Sequence, residues 1–142
     1  MIKIANNQVN EMAQELDAGM KCYINKESGE YRSILDWDDL YDGEEFWQEE
    51  LEKIQTEWSN NIVVEKMPYH QSFGIMEDFT ASIENQEIRN RLIYALGRNK
   101  PFRDFKNEVD YREDIRQQWF AFKQQAYEDY VRKELSGEFL FE

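Results

Sequence analysis

The chain has 142 residues, with 41% apolar and 15% aromatic side chains and a net charge of -13, which suits one domain with a substantial core. A single cysteine and a single histidine exclude an internal disulfide framework and argue against an all-protein zinc site. We expect neither a membrane span nor a secretory leader, and the negative charge disfavours general binding of nucleic acid.

A helix and a β-hairpin are predicted in the first part of the chain. Apolar residues recur at helical spacing in Asn6–Leu16, which predicts a weakly amphipathic helix, prone to fraying, within residues 1–20. Apolar residues also flank the turn-forming run Asn25–Glu30, in which Gly29 can adopt the positive φ of a tight loop. This pattern predicts a β-hairpin over Lys21–Leu35.

An acidic helix and a third strand are predicted next. In Glu44–Trp58 the apolar residues fall at helical intervals, which predicts an amphipathic helix with a carboxylate-rich outer face. Those apolar residues are Phe46, Trp47, Leu51, Ile54 and Trp58. A β-branched run within Asn61–Met67, closed by Pro68, predicts the third strand.

Helices dominate from Ser72 onward. We expect Gly97 to end one of them in a left-handed conformation, and Pro101 to occupy the first position of the next, which would bury Phe102. The periodicity of apolar residues predicts four helices, over Ser72–Ile83, Asn85–Leu96, Phe102–Val109 and Tyr111–Leu135.

The predicted fold class is therefore α+β: a small antiparallel sheet, made of the hairpin and a third strand, followed by a C-terminal helical half. We expect a single domain over residues 1–142. The sheet, with its acidic helical insert, is expected in residues 21–67 and the helical half in residues 72–135.

Part of the acidic segment resembles a calcium-binding loop in its spacing. Asp38, Asp42, Gly43 and Glu49 fall at the first, fifth, sixth and twelfth positions of such a loop. Leu40 removes an oxygen ligand where the loop requires one. A solvated turn before the acidic helix is therefore the favoured interpretation.

Few residues are candidates for catalysis. Glu77 and Asp78 are candidate acid–base carboxylates provided that they are buried beside a pocket, and the alternative is a solvated face or an ion pair. Cys22 and His70 are the only residues of their types, and neither lies in a recognised nucleophile motif. We find no glycine-rich phosphate loop and expect no cofactor.

A local excess of basic residues is the most distinctive feature of the chain. Ile88–Lys106 contains six basic residues against Asp104 alone, and the helix predicted to start at Pro101 offers free N–H groups that attract anions. The alternative is that these bases neutralise the acidic part of the same molecule. Four of them are candidate anion- or partner-binding residues: Arg98, Lys100, Arg103 and Lys106.

Five short motifs follow one another in the helical half: IMEDF (75–79), IRNRL (88–92), ALGR (95–98), PFRDFK (101–106) and WFAFK (119–123). In order and spacing they resemble the bacterial uncharacterised protein family 0158 of the UPF series, with a likeness that runs from residue 21 to residue 135. The chain departs from the family pattern at Phe120, where Tyr is common, at Asn99–Pro101, and in its long acidic insert.

The resemblance implies a strand-containing N-terminal part followed by helices, a cytoplasmic bacterial setting and no assigned activity. It also implies that five candidate residues belong to the family motif: Glu77, Asp78, Arg98, Arg103 and Lys106. Motif charges of this kind suit either a binding site or an internal network of ion pairs between helices.

Three functions are considered, in descending order. The first is a non-enzymatic, cytoplasmic binding or regulatory module that offers the acidic residues 1–60, of net charge -10, to a basic protein partner. The alternative is a protein, or an enzyme, that binds a small anion or a nucleotide ligand through the basic run Arg98–Lys106. Contact with nucleic acid through the same run ranks third.

Overall fold

The structure is a computed structural model that describes residues 1–36 and 44–142. Its elements confirm the predicted α+β class, with a three-stranded antiparallel sheet and a C-terminal helical half. In chain order the elements are β1 (Lys3–Ile4), α1 (Asn6–Asp17), β2 (Met20–Asn25), β3 (Tyr31–Leu35), α2 (Glu44–Glu57), β4 (Asn61–Val64), α3 (Tyr69–Ser82), α4 (Gln86–Leu96), α5 (Pro101–Asp110), α6 (Glu113–Glu134) and β5 (Leu140–Phe141).

The chain divides into two compact units, which are described separately. Unit 1 comprises residues 1–66 and 127–142, and unit 2 comprises Met67–Ala126. Helix α6 contributes residues to both units. The division therefore does not decide whether residues 1–142 form one domain, which stays a prediction. No helix in the described parts of the chain is both long and apolar enough to cross a bilayer.

Unit 1 is organised around the central strand β2, which pairs antiparallel with β3 on one side and with β4 on the other. The hairpin forms as predicted, and Gly29 has the positive φ, +79°, that its turn requires. Helix α2 packs its apolar side on this sheet, where Ile54 and Trp58 join Tyr23 and Ile34 in one buried cluster. A carboxylate-rich surface helix is thereby held against the sheet.

A second, two-stranded sheet in unit 1 was not predicted. Strand β1 pairs in parallel with β5, and the N–H of Leu140 donates a hydrogen bond to the carbonyl of Ile2 at 2.8 Å. Helix α1 follows β1 and buries Val9, Met12, Ala13 and Leu16.

Unit 2 is a cluster of helices with an aromatic core. The ring of Phe79 lies 5.2 Å from that of Trp119 and 5.4 Å from that of Phe122, between ring centroids. Phe105 of α5 also contacts Trp119, with centroids 5.0 Å apart. Aliphatic and sulfur-containing side chains complete this core, namely Met76, Ile83, Leu92, Val109 and Ile115.

Several sequence predictions were wrong in detail. Gly97 ends α4 with a φ of -86°, in the right-handed region, so no left-handed cap forms there. Phe102 is 38% exposed, because it lies in the first turn of α5 and packs against the exposed ring of Tyr69 rather than in the core.

Phe46, expected on the apolar side of α2, is 55% exposed. Helix α3 begins at Tyr69, directly after its N-cap Pro68, rather than at Ser72.

Replacement of Gly29 tests how tightly the hairpin turn packs. In Gly29→Ala the new Cβ would lie 2.8 Å from Cγ2 of Ile2, on a backbone that alanine rarely adopts. We expect the free energy of unfolding, measured by urea denaturation, to fall by about 2–3 kcal/mol, from strain and contact together.

Gly137→Ala is the matched control, because its φ is +87° and no heavy atom lies within 4 Å of the position that the new methyl group would take. It retains the backbone strain and should cost only about 1 kcal/mol. Equal losses in the two variants would show that the contact with Ile2 contributes nothing.

Candidate functional site

The outer side of α2 forms an acidic surface groove in unit 1. Because Leu51, Ile54 and Trp58 face the sheet, the helical repeat turns the intervening carboxylates toward solvent. The groove has a volume of about 340 Å³ and is called here the acidic face; its residues are Glu49, Glu52, Lys53, Thr56 and Glu57.

Internal cations neutralise only part of the acidic face. A carboxylate oxygen of Glu57 lies 2.8 Å from the guanidinium of Arg32, which also lies over the ring of Trp58. Lys53 pairs with Glu50 at 3.3 Å. Among the residues that the structure describes, Glu49 and Glu52 have no ion-pair partner. Two exposed carboxylates are thus available to a cation from outside.

The predicted anion-binding residues surround a groove in unit 2, between the end of α4 and the start of α5. This basic groove has a volume of about 300 Å³. It brings together three of the four candidates, Arg98, Lys100 and Arg103, and leaves Lys106 outside its lining. The remaining lining residues are Tyr94, Asn99 and Asp104.

Asp104 already occupies the position in which an anion would meet these arginines. Its carboxylate accepts hydrogen bonds from Arg98 at 3.0 Å and from Arg103 at 3.2 Å, and its side chain is only 15% exposed. Lys106 pairs separately with Asp110 at 3.2 Å. Lys100 has no carboxylate partner within the described part of the chain. The groove therefore keeps a positive balance that Asp104 reduces.

Glu77 and Asp78 are both exposed on α3, so neither has the burial that an acid–base role would need. Glu77 lines a further groove, which we call the α3–α4 groove. It was not predicted, although its α3 side repeats every four residues through Phe73, Glu77 and Ala81, a spacing visible in the sequence.

The remaining features considered in the sequence are Cys22, His70 and the calcium-like spacing. Cys22 is completely buried, and desolvation, with a smaller contribution from the charge of Glu15, raises the pKa of its thiol to about 12. His70 is exposed in the first turn of α3. Of the calcium-like spacing, Asp38, Asp42 and Gly43 lie outside the described residues, and Glu49 lies on the acidic face. Within the described ranges, no three acidic, histidine or cysteine side chains converge to hold a metal ion.

Comparisons with known proteins give a family but no structural relative. The family model described as Uncharacterised protein family (UPF0158) matches residues 1–136. The UPF0158 protein PA5073 of Pseudomonas aeruginosa is 24% identical over 78 residues, which cover 55% of this chain and 51% of that protein. The match thus spans about half the length of that curated relative. No solved structure matches the chain.

Substitution of Asp104 measures how strongly the basic groove depends on its internal carboxylate. Asp104→Asn keeps the side-chain shape but removes the charge that both arginines contact. Because these bonds are charge-assisted and partly exposed, we expect the free energy of unfolding to fall by about 1 kcal/mol.

The control variant is Glu108→Gln, which removes the same charge from the same helix at a site with no assigned ion pair among the described residues. It should change the free energy of unfolding by less than about 0.5 kcal/mol. If Glu108→Gln lowers the free energy of unfolding as much as Asp104→Asn does, the contacts of Asp104 with Arg98 and Arg103 are not what stabilises the groove.

Proposed function

This chain belongs to the Uncharacterised protein family (UPF0158), and we propose that it is a non-enzymatic, cytoplasmic binding module that takes a basic protein partner on the acidic face of α2. One observation carries the proposal: Glu49 and Glu52 stand exposed in one groove, without an internal cation among the described residues. The cytoplasmic setting is the one that the family resemblance implies.

The distribution of charge supports a basic partner. Unit 1 contains 21 acidic and 8 basic residues, whereas unit 2 contains nine of each. All of the net charge of -13 therefore belongs to unit 1, the unit that contains the acidic face. A field of this sign accelerates the approach of a cationic protein and repels acidic ones.

The fold of unit 1 supports the same role. The anchoring of Ile54 and Trp58 in the sheet cluster fixes the helix, so its outer carboxylates are presented on a rigid element. A rigid surface loses little conformational freedom on binding, which favours affinity. Glu77, Asp78 and Cys22 lack the environment that would activate an acid, a base or a nucleophile, and this favours a non-enzymatic role.

The experiment is a binding titration of the Glu49→Gln/Glu52→Gln double variant. The probe is a fluorescein-labelled peptide of alternating lysine and glycine, followed by fluorescence anisotropy. Because two exposed ion pairs are lost, we expect the dissociation constant to rise about three- to tenfold at low salt. The difference should shrink as salt screens the charges.

A matched double variant separates a site from general attraction. Glu84→Gln/Glu108→Gln removes the same two charges from unit 2, at residues with no assigned ion pair among the described ones. We expect it to change the affinity by less than about twofold. If both double variants weaken binding equally, the peptide responds to net charge alone and the acidic face is not a site.

A second candidate function is the binding of a small anion or nucleotide ligand in the basic groove. The observation in its favour is that Arg98, Lys100 and Arg103 line one groove and that Lys100 has no carboxylate partner within the described chain. It ranks second because Asp104 competes with any incoming anion for the two arginines.

This candidate predicts a stabilising ligand among phosphate-bearing compounds. At about 100 times its dissociation constant, such a ligand raises the free energy of unfolding by about 2.7 kcal/mol, which a thermal melt detects. Lys100→Ala should reduce the shift, and Asp104→Asn should increase it, because the competing carboxylate is gone. No shift across inorganic phosphate and a nucleotide panel would eliminate the candidate.

A further inference from the structure

Unit 2 exposes an aromatic ridge at one end of the α3–α4 groove. The ring of Tyr69 packs edge-on against that of Phe102, with centroids 4.9 Å apart, and lies parallel to that of Phe73 at 6.3 Å. Tyr69 is 64% exposed and Phe102 is 38% exposed. Large apolar rings that remain in water in this arrangement are typical of a surface that another molecule covers.

The ridge and the groove are continuous, because Phe73 belongs to both. The groove has a volume of about 550 Å³ and is lined mainly by apolar atoms. Ile93, on its α4 side, is 54% exposed. The aromatic ridge, whose rings of Tyr69 and Phe102 are partly exposed, therefore lies directly beside an apolar groove on the same unit.

Each of the two features has one charged side chain with neither a hydrogen bond nor an ion pair among the described residues. In the groove, the guanidinium of Arg89 donates a hydrogen bond to the carbonyl of Ile83 at 3.1 Å, whereas Glu77 has no cation partner among the described residues. Beside the ridge, Lys100 precedes Phe102 by two residues and has no carboxylate partner in the described ranges. The two unpaired charges are opposite in sign.

We propose that this face binds a second copy of the chain about a two-fold axis, with the ridge of each protomer in the α3–α4 groove of the other. In such an isologous contact the same patch serves both protomers, so it needs a projection and a depression side by side. Phe102 enters the partner's groove, and Lys100 reaches the carboxylate of the partner's Glu77. Each contact occurs twice in the dimer.

Charge also favours a second copy over another occupant. Unit 2 has nine acidic and nine basic residues, so two copies can meet through it with little local repulsion. Unit 2 as a whole has no net charge to attract a strongly charged partner over long range, although the basic groove keeps a local positive balance. Glu77 in the groove of one protomer is opposite in charge to Lys100 beside the ridge of the other, so the two can form an ion pair.

The first measurement is the molar mass of the intact protein across a range of concentrations, by sedimentation equilibrium at physiological salt. We expect a reversible equilibrium between 17.3 kDa and twice that mass, in the micromolar range. A mass of 17.3 kDa at every concentration would overturn the proposal.

The ridge is tested with a pair of matched phenylalanines. Phe102→Ala should raise the dimer dissociation constant by about tenfold or more, because its ring is a central anchor that is used twice. Phe120→Ala is the control, since Phe120 is 40% exposed, on α6, under the guanidinium of Arg116. Circular dichroism checks that both variants fold. Equal dimerisation in the two would overturn the role of the ridge.

The predicted ion pair between Lys100 and Glu77 is tested by reversing each charge and mixing the two variants. This test leaves the apolar surface intact. Lys100→Glu and Glu77→Lys should each fail to form homodimers, because like charges then meet at both contacts. An equimolar mixture should dimerise, since every contact in the mixed pair joins opposite charges. A mixture that stays monomeric, or single variants that still dimerise, would contradict this two-fold arrangement.

This inference does not rest on the acidic face. Neither Glu49 nor Glu52 belongs to unit 2, so the variant that loses peptide binding keeps every residue of the proposed dimer contact. A monomeric protein that still binds the basic peptide would overturn the dimer and retain the proposed function.

Discussion

The burial of Phe79 is the interaction on which unit 2 depends. Its ring contacts Trp119, Phe122 and Phe105, and it thereby joins α3 to both α5 and α6. Once α3 points Phe79 into this core, the helical repeat turns Glu77 outward, whereas Phe73 stays partly buried against the core and also lines the groove. The α3–α4 groove is a consequence of how the core aligns α3, and the aromatic ridge continues from it.

In unit 1, too, the packing of one side of a helix decides what its other side presents to solvent, and that helix is α2. Carboxylates are too costly to bury without partners, so a helix rich in glutamate can pack only if its few apolar residues form one stripe. Ile54 and Leu51 supply that stripe and pack on the sheet cluster, and Trp58, the residue directly after the helix, joins the same cluster. Glu49 and Glu52 are consequently turned outward, and the surface charge of the helix follows directly from the packing of its opposite side.

Local signals in the sequence were sufficient for much of the fold. Gly29 marks the hairpin turn, and Pro101 starts α5. Each of these effects acts within a few residues. The pairing of β1 with β5 joins the two ends of the chain through strands of two residues each. Strands this short show no alternation of apolar and polar residues, so the sequence did not predict them.

The exposure of side chains and the pairing of charges were harder to predict. Periodicity shows which residues share a side of a helix, but the exposure of Phe102 and Ile93 depends on which neighbouring element covers that side. The cluster of basic residues before Lys106 was evident in the sequence. Its partial neutralisation was not, because Asp104 pairs with Arg98 across the junction of two helices.

The separation of charge between the units links the two proposed contacts. Two copies that meet through a neutral unit 2 still each carry the whole charge of -13, and this repulsion opposes dimerisation. A basic partner bound to unit 1 would reduce that charge and with it the repulsion, and so would favour the dimer. By thermodynamic reciprocity, the dimer would then bind the basic partner more tightly than the monomer would. Salt weakens the coupling, because at physiological ionic strength charges are screened beyond about 8 Å.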